Sequence, residues 1–313
     1  MSRPLSLMRP RHPQPTRSKN TRTQRTKTAT RSRSSCVKSE IPRRCNNIPK
    51  DGEQTLSTSL KDKIVFITGA SSGIGAATAM EFARHGAKLL LCARRLDRLQ
   101  AMEAELRDAG APDIFSFELD VRSRDTVHTI LANLPESWST IDVLVNNAGL
   151  SRGLDKLYED DIENWEEMID TNVKGLLYVT RAIVPGMVKR NHGHVISLGS
   201  IAGHAAYPNG AVYCATKAAE RFLSDGLRID INGTAVRVTS IDPGMVETDF
   251  SRIRFRGDEE RAAKTYQNID PLQPEDIADA IVWAATRPPH VSIQTVVLTP
   301  TAQANPFVIT RNA

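Results

Sequence analysis

Residues 64–79 read IVFITGASSGIGAATA, and this stretch decides the fold. Its first five residues predict a strand, its glycine-rich centre predicts a tight turn, and its small C-terminal residues open a helix. Gly69 permits the turn, Gly73 lets the backbone approach a pyrophosphate, and Gly75 lets the helix pack closely on the strand. Free N–H groups at the helix start would then hold phosphate oxygens. The predicted nucleotide-binding residues of this turn are Gly69, Ser71, Ser72, Gly73, Ile74 and Gly75.

Beyond this stretch, short apolar runs alternate with helix-length segments along the chain. Unbroken apolar runs are typical of parallel strands that helices cover on both faces. The predicted strands are 64–68, 88–92, 114–119, 143–145, 194–198, 236–241 and 295–298. We therefore predict a single Rossmann-type α/β domain over residues 56–313, with a doubly wound, seven-stranded parallel sheet and helices on both faces.

Charge divides the chain into a basic start and an acidic body. Residues 1–50 contain 14 Lys and Arg and one acidic residue, Glu40, whereas the remainder contains 27 basic and 35 acidic residues. Residues 1–55 have few apolar side chains, so we expect a disordered basic extension. Its Arg, Ser and Thr content also fits a mitochondrial transit peptide, although four early prolines interrupt any helix. The acidic body argues against nucleic-acid binding.

Several other classes of protein do not fit the composition. No stretch approaches the ~20 uncharged apolar residues that cross a bilayer, so we expect no membrane insertion and a cytoplasmic location unless the extension acts as a transit peptide. His192 and His194 lack further ligands nearby in sequence, and we predict no metal site. The four cysteines form no CxxC pair, which argues against structural disulfides or zinc. They are Cys36, Cys45, Cys92 and Cys214.

The residues after the second predicted strand indicate which nucleotide binds. Arg94 and Arg95 stand where an acidic residue would accept hydrogen bonds from an adenosine ribose 2′-hydroxyl. A guanidinium matches the geometry of a 2′-phosphate, and the missing carboxylate removes a repulsion. We therefore predict NADP, rather than NAD, as the cofactor. The alternative is that both arginines only solvate the start of the next helix.

A Tyr-x-x-x-Lys pair supplies the candidate acid–base chemistry. Helical periodicity over residues 211–228 places Tyr213 and Lys217 one turn apart on one face. A phenol is a poor acid–base group at neutral pH, but an adjacent cation favours the phenolate. Ser200 follows the strand 194–198, where its hydroxyl could polarise a carbonyl oxygen. Such a pair alone usually means a core aromatic and a surface lysine, and its combination with Ser200 and the glycine turn favours catalysis.

These motifs resemble the short-chain dehydrogenase/reductase family over about residues 60–300. The resemblance rests on TGASSGIG at 68–75, NNAG at 146–149, Ser200, Tyr213 with Lys217, and Pro-Gly at 243–244. It implies an oxidoreductase acting on CH–OH groups, in which Tyr213 is the general acid–base. Lys217 would favour the phenolate and hold the nicotinamide ribose, and Ser200 would orient the substrate oxygen.

The resemblance also implies roles that the spacing alone does not indicate. Asn172 would support a water-linked proton relay, and the chain would form a homotetramer or homodimer through the helices around Asn172 and Tyr213. The remaining cofactor-binding residues that it implies are Asp120, Val121, Asn147, Pro243, Gly244, Val246 and Thr248.

The segment around residues 246–257 narrows the resemblance to a subgroup. Together with LGSIAG at 198–203 and Tyr-Pro at 207–208, it is similar to NADP-dependent 3-hydroxy acid dehydrogenases acting on serine and allo-threonine. Arg252, Arg254 or Arg256 could bind a substrate carboxylate. Alternatively, these arginines face solvent or pair with the acidic residues at 258–260.

Two other functions remain as alternatives. The first is a broad-specificity NADPH-dependent carbonyl reductase, which would not require a substrate carboxylate. The second, from another class, is an NADP-sensing or RNA-binding module that uses the fold as a scaffold and the basic extension as its contact. The complete set of Asn172, Ser200, Tyr213 and Lys217 favours an enzyme.

Overall fold

The computed structural model describes residues 57–311 of the chain. The predictions for residues 1–55, a disordered extension or a transit peptide, lie outside the described residues. None of the described helices is both long and apolar enough to cross a membrane.

Seven parallel strands form one sheet in the order β3-β2-β1-β4-β5-β6-β7, which confirms the predicted fold class. Each predicted strand is present, with ends that differ by two residues at most. The strands are β1 Ile64–Thr68, β2 Lys88–Ala93, β3 Ile114–Glu118, β4 Val143–Asn146, β5 Gly193–Leu198, β6 Val236–Pro243 and β7 Thr295–Leu298.

Nine α-helices connect or flank these strands within residues 57–311. They are α1 Gly73–Arg84, α2 Leu96–Asp108, α3 Arg124–Ala132, α4 Ile162–Ile169, α5 Leu176–Lys189, α6 Ala211–Asp230, α7 Phe250–Arg254, α8 Glu259–Tyr266 and α9 Pro274–Ala285. A π-helical turn, Asp170–Gly175, joins α4 to α5, and a 3₁₀ turn, Ile201–Gly203, follows β5. Helix α1 begins at Gly73, within the glycine turn and before the small residues 76–79 that predicted a helix.

Burial on both faces explains the unbroken apolar runs of the strands. Val65 and Ile67 of β1 pack into one apolar layer with Phe82 of α1, whereas Phe66 packs into the opposite layer with Met187 of α5. All five side chains are fully buried. Helices therefore cover the sheet on two sides, and the carboxyl ends of the strands remain free to form a cleft.

The strand order reverses beside β1, which lies between β2 and β4. In doubly wound sheets, a crevice opens at the carboxyl ends of the strands where the chain switches direction across the sheet. The glycine turn follows β1, residues 147–149 follow β4, Ser200 follows β5, and Gly244 follows β6. The predicted site residues thus converge on one edge of the sheet.

Candidate active site

A cleft opens at this edge of the sheet. Most residues predicted to bind the cofactor or to catalyse line it. They are Gly69, Ser71, Ser72, Gly73, Ile74, Arg94, Arg95, Asp120, Val121, Asn147, Ser200, Tyr213, Lys217, Pro243, Gly244, Val246 and Thr248. Gly75 and Asn172 are the two predicted residues that do not line the cleft, and both support it from behind.

The glycine turn is held in place by the end of β4. Gly69 has a φ of +66°, in the left-handed region that favours glycine. The Asn147 side chain donates hydrogen bonds to the carbonyl oxygens of Thr68 and Gly69 at 2.8 and 3.1 Å. A Cβ at Gly75 would lie 2.4 Å from the Gly69 carbonyl oxygen and 2.5 Å from Asn147 Nδ2. Gly75 therefore permits the close approach of helix and turn.

Three arginines gather where the predicted 2′-phosphate would bind. Nη2 of Arg95 lies 3.4 Å from the Ser71 hydroxyl and 3.3 Å from the Ser72 hydroxyl. Burial, together with the positive charges of Arg98 and Arg94, lowers the pKa of the Arg95 guanidinium. The crowded cations and hydroxyl donors suit a bound anion, because it would relieve their mutual repulsion.

On the adjacent wall of the cleft, Asp120 forms an ion pair that the sequence did not indicate. Arg122 Nη2 lies 2.6 Å from Asp120 Oδ2, and Nε of the same guanidinium lies 3.0 Å from Oδ1. Burial opposes ionisation of Asp120, but the hydrogen bonds from Arg122 hold its pKa below the ordinary value. Arg122 thereby fixes the Asp120 carboxylate at the cleft.

The Tyr213 and Lys217 side chains lie together on α6, as the spacing predicts. Their side chains are buried, and the Lys217 Nζ atom lies 5.9 Å from the centroid of the Tyr213 ring. Nζ also donates hydrogen bonds to the Leu198 carbonyl oxygen at the end of β5 and to the Glu220 carboxylate, both at 2.8 Å. The ammonium is thus held between β5 and α6. Glu220 was missed, although its i,i+3 spacing from Lys217 was a signal for an ion pair.

Ser200 joins this pair at the end of β5. Its Oγ accepts a hydrogen bond from the Ala202 backbone N–H at 3.1 Å and donates one to the Pro243 carbonyl oxygen at 3.4 Å. The first contact caps the 3₁₀ turn that follows the strand. Because the second contact is long, the hydroxyl can instead donate its hydrogen bond to another acceptor in the cleft.

Asn172 is fully buried in the π-helical turn. Its amide nitrogen donates to the Leu150 carbonyl oxygen at 2.8 Å and to the Thr216 hydroxyl at 3.0 Å, while its oxygen accepts from the Leu150 N–H at 2.9 Å. A Cβ at Gly149 would lie 3.4 Å from Asn172 Oδ1 and 3.6 Å from Lys217 Nζ. Asn172 therefore links the segment after β4 to α6, close to the ammonium.

The three arginines proposed for a substrate carboxylate have different surroundings. Arg254 lies beside Tyr213: its guanidinium carbon is 5.3 Å from the Tyr213 ring centroid, and it donates to the Ser151 and Tyr207 hydroxyls, each at 3.0 Å. Arg252 lies 3.1 Å from the Asp249 carboxylate and 3.8 Å from that of Glu259, matching the alternative of pairing with an acidic residue.

Arg256 turns away from the cleft. Its Nη2 atom donates to the side-chain oxygen of Asn164 on α4 at 2.8 Å. Arg152 also fastens this region, because it lies 2.6 Å from the Glu167 carboxylate and donates to the Ile253 carbonyl oxygen. The α7 segment is thus held against α4, and Arg254 is the arginine of the three that reaches Tyr213.

The two histidines considered for a metal have other partners. His194 Nε2 lies 2.8 Å from the Thr239 hydroxyl, and His192 Nε2 lies 3.2 Å from the Asp142 carboxylate. Burial lowers the pKa of His194 well below its ordinary value. Across residues 57–311, no three His, Cys, Asp or Glu side chains are grouped as a metal site would require.

Comparison with known proteins shows which family this chain belongs to. A profile described as short chain dehydrogenase matches residues 63–258. The chain is 50% identical to the NADP-dependent 3-hydroxy acid dehydrogenase YdfG of Salmonella typhi over 242 residues, which cover 77% of this chain and 96% of that protein. It is 41% identical to the NADP-dependent 3-hydroxy acid dehydrogenase of Schizosaccharomyces pombe over 245 residues, which cover 78% and 95%.

A solved structure supports the same family. The closed form of serine dehydrogenase complexed with NADP+ superposes with a TM-score of 0.75 at 47% identity, covering 80% of this chain and all of the other. The predicted enzyme class, and NADP as the predicted cofactor, agree with the names of these relatives. The family match and these identities confirm the predicted family: this protein belongs to the short chain dehydrogenase family.

Proposed function

We propose that this protein is an NADP-dependent oxidoreductase acting on the hydroxyl-bearing carbon of 3-hydroxy acids such as serine or allo-threonine, with Tyr213 as general acid–base. The observation that carries the substrate class is Arg254, whose guanidinium lies 5.3 Å from the Tyr213 ring centroid. In a 3-hydroxy acid, a single carbon separates the carboxylate from the carbon that reacts. A cation beside the phenol is therefore suited to bind that carboxylate.

The residues of the cleft fit NADP. The glycine turn offers backbone N–H groups at the start of α1 for the pyrophosphate, and Arg95 with Ser71 and Ser72 offers donors for the 2′-phosphate. When bound, NADP supplies the nicotinamide that accepts or returns the hydride. In this proposal residues 56–313 form the NADP-binding domain, and residues 1–55 are an extension outside it.

The side chains divide the proton chemistry among them. In the oxidative direction the Tyr213 phenolate takes the proton of the substrate hydroxyl, and reduction reverses this step. The Lys217 ammonium favours the phenolate electrostatically. The Ser200 hydroxyl donates a hydrogen bond to the substrate oxygen and keeps its own proton. Asn172 holds the segment after β4 against α6 and supports the water-linked path by which the proton leaves.

A substrate comparison tests the role of Arg254. L-serine and its carboxamide differ in the group that Arg254 would bind, so we expect Arg254→Gln to raise KM for L-serine by at least about tenfold, because a hydrogen bond to a charged group contributes about 1.5–3 kcal/mol. KM for the amide should stay within about twofold of the parent. Arg252→Gln, two residues away and paired with Asp249, is the matched control and should change neither value.

The same comparison, with simple alcohols and ketones as further substrates, decides between the proposed function and the alternative. A broad-specificity carbonyl reductase would turn over simple alcohols and ketones as well as the acids, since Leu150, Phe250 and Ile253 also offer apolar surface in the cleft. The KM values of such a reductase would not change in Arg254→Gln. That combined result would replace the 3-hydroxy acid assignment.

We also propose a homodimer or homotetramer built through the helices around Asn172 and Tyr213. Support comes from exposed apolar side chains on these helices, with Phe222 and Ile229 of α6 being 70% and 75% exposed. Apolar surface of this kind is typical of protein contacts. Light scattering coupled to size-exclusion chromatography should show the assembly, and Phe222→Glu should weaken it.

A further inference from the structure

The catalytic lysine has a buried acidic partner. Glu220 lies on α6, three residues after Lys217, and is 3% exposed. Its Oε2 atom is 2.8 Å from Lys217 Nζ. The second Nζ contact is the Leu198 carbonyl oxygen, also at 2.8 Å. An ammonium has three N–H donors, so these two contacts leave one donor for the cleft.

A second buried acid stands nearby but is engaged elsewhere. Asp242 of β6 is 1% exposed, and its Oδ1 atom lies 2.5 Å from the Ser240 hydroxyl. Its Oδ2 atom lies 2.6 Å from His204 Nε2. Glu220, in contrast, directs its carboxylate at Lys217. Of the two acids, Glu220 is therefore the one that contacts the catalytic ammonium.

Burial makes this ion pair a costly feature. Removing two charges from water carries a desolvation penalty that their attraction offsets only partly, and an apolar side chain of similar size often stabilises a protein as well or better. Burial raises the pKa of Glu220 to about 7, against the lowering effect of Lys217, and Asp242 adds to the rise. For Lys217, burial alone would lower the pKa, but Glu220 and then Tyr213 raise it above the ordinary value.

We propose that Glu220 is a positioning residue for Lys217 that also sets the pH range in which Tyr213 works. This inference rests on the proposed acid–base role of Tyr213. The carboxylate fixes the direction of the ammonium. It also offsets part of the positive charge that Tyr213 experiences, since opposite charges at close range weaken each other's field. Without the carboxylate, the full charge of Lys217 acts on the phenol and favours the phenolate at lower pH.

The charged and titratable groups around Glu220 are few enough to predict a direction. Lys217 and Tyr213 lie on its own helix, Asp242 lies on β6, and His204 is bonded to Asp242. Replacing Glu220 with Gln removes one negative charge. Lys217 then loses one effect that raises its pKa, but Tyr213 and Asp242 continue to favour the ammonium. The pH midpoint of substrate oxidation, which follows formation of the phenolate, should therefore move to lower pH.

The experiment compares Glu220→Gln with the full-length parent. We expect the midpoint of log kcat/KM against pH, measured for oxidation of L-serine, to fall by about one unit. Asp225→Asn is the matched control, because Asp225 lies on the same helix and also forms an i,i+3 ion pair, with Arg228 at 2.7 Å, but its side chain is 44% exposed. This control should reproduce the parental profile.

Two further variants separate charge from packing. Glu220→Val removes the charge with an apolar side chain and should shift the midpoint in the same direction even if Glu220→Gln fails to fold. Glu220→Asp keeps the charge and should stay near the parental midpoint. A merely structural role would lower the yield or the thermal stability and leave the midpoint in place. An unchanged or higher midpoint in both Glu220→Gln and Glu220→Val would overturn the inference.

A measurement without NADP or turnover reports on the same step. The ultraviolet absorbance of the Tyr213 phenolate can be isolated as the difference between each protein and the same protein carrying Tyr213→Phe. This difference signal should develop at lower pH in Glu220→Gln than in the parent. Tyr213→Phe that retains full turnover would defeat the proposed acid–base role itself. An inactive Tyr213→Phe with no shift in Glu220→Gln would defeat only the inference about Glu220.

Discussion

On one side of the cleft, residues 68–75 form the glycine turn, which we propose binds the nucleotide, from consecutive positions. On the other side, Arg254 meets Ser151 and Tyr207, which lie 103 and 47 residues away along the chain. The cofactor side uses backbone that must approach closely, and its glycines serve by having no side chain. The proposed substrate side, around Arg254 and Tyr213, uses polar side chains from separate segments.

This difference has a consequence for substitutions. Backbone that approaches closely has nowhere to move, so an added methyl group displaces several residues at once. A hydrogen bond between side chains can be lost without displacing its neighbours. Substitutions on the cofactor side should therefore have larger effects than substitutions of comparable size on the substrate side.

The largest effect is expected from Gly75→Ala. Its Cβ would lie 2.4 Å from the Gly69 carbonyl oxygen, so the glycine turn must shift. We expect the Kd for NADPH to rise by about 100-fold, since the shifted turn would lose hydrogen bonds to a charged phosphate, each contributing about 1.5–3 kcal/mol. The free energy of unfolding should fall by about 1–3 kcal/mol. Quenching of protein fluorescence and thermal unfolding measure the two.

Gly226→Ala is the control for that prediction. Gly226 lies within α6, and a Cβ there would meet no atom within 4 Å. Alanine should therefore stabilise the helix by up to about 1 kcal/mol and leave NADPH binding unchanged. Equal losses of NADPH binding in the two variants would show that close approach at Gly75 is not what the turn requires.

An intermediate effect is expected from Arg95→Gln. The Kd for NADP should rise roughly 10- to 100-fold, because a charge-assisted hydrogen bond to a phosphate contributes about 1.5–3 kcal/mol, while the Kd for NAD should stay the same. Arg94→Gln should have a smaller effect, since Arg94 is exposed, whereas Arg95 contacts both serine hydroxyls of the turn. Equal weakening of NADP and NAD would contradict a 2′-phosphate contact.

The same contrast explains which features could be predicted from the sequence. The strands and the glycine turn follow from local patterns, because unbroken apolar runs and glycine spacing act over a few neighbouring residues. The Tyr213–Lys217 spacing is likewise a property of one helix. These patterns indicated the sheet and brought attention to residues that line the cleft.

Features that depend on tertiary burial were not predictable in this way. A charged residue on an amphipathic helix is normally exposed, so the sequence did not indicate that Glu220 is buried against Lys217. Neither did it indicate which of the three arginines near residue 254 reaches Tyr213. Their neighbours lie after β4, on α4, before α6 and on α8, and only the folded chain brings those segments together.

The smallest effect is expected from Tyr207→Phe on the substrate side. This change removes the hydroxyl that accepts a hydrogen bond from Arg254 Nη2 at 3.0 Å and keeps the partly buried ring. The guanidinium loses one of its two neutral partners but retains Ser151 at 3.0 Å. We expect KM for L-serine to change by about two- to tenfold, because a single hydrogen bond contributes about 0.5–1.5 kcal/mol. The Kd for NADPH should not change.

A matched substitution shows whether the hydroxyl itself is responsible. Tyr158→Phe makes the same chemical change at a side chain that is 78% exposed, and it should leave KM and kcat at the parental values. If Tyr207→Phe instead weakened NADPH binding as strongly as Gly75→Ala, a change on one side of the cleft would also disturb the other side. An effect confined to KM for the acid would show that side chains on the substrate side tune specificity separately from the backbone that holds the cofactor.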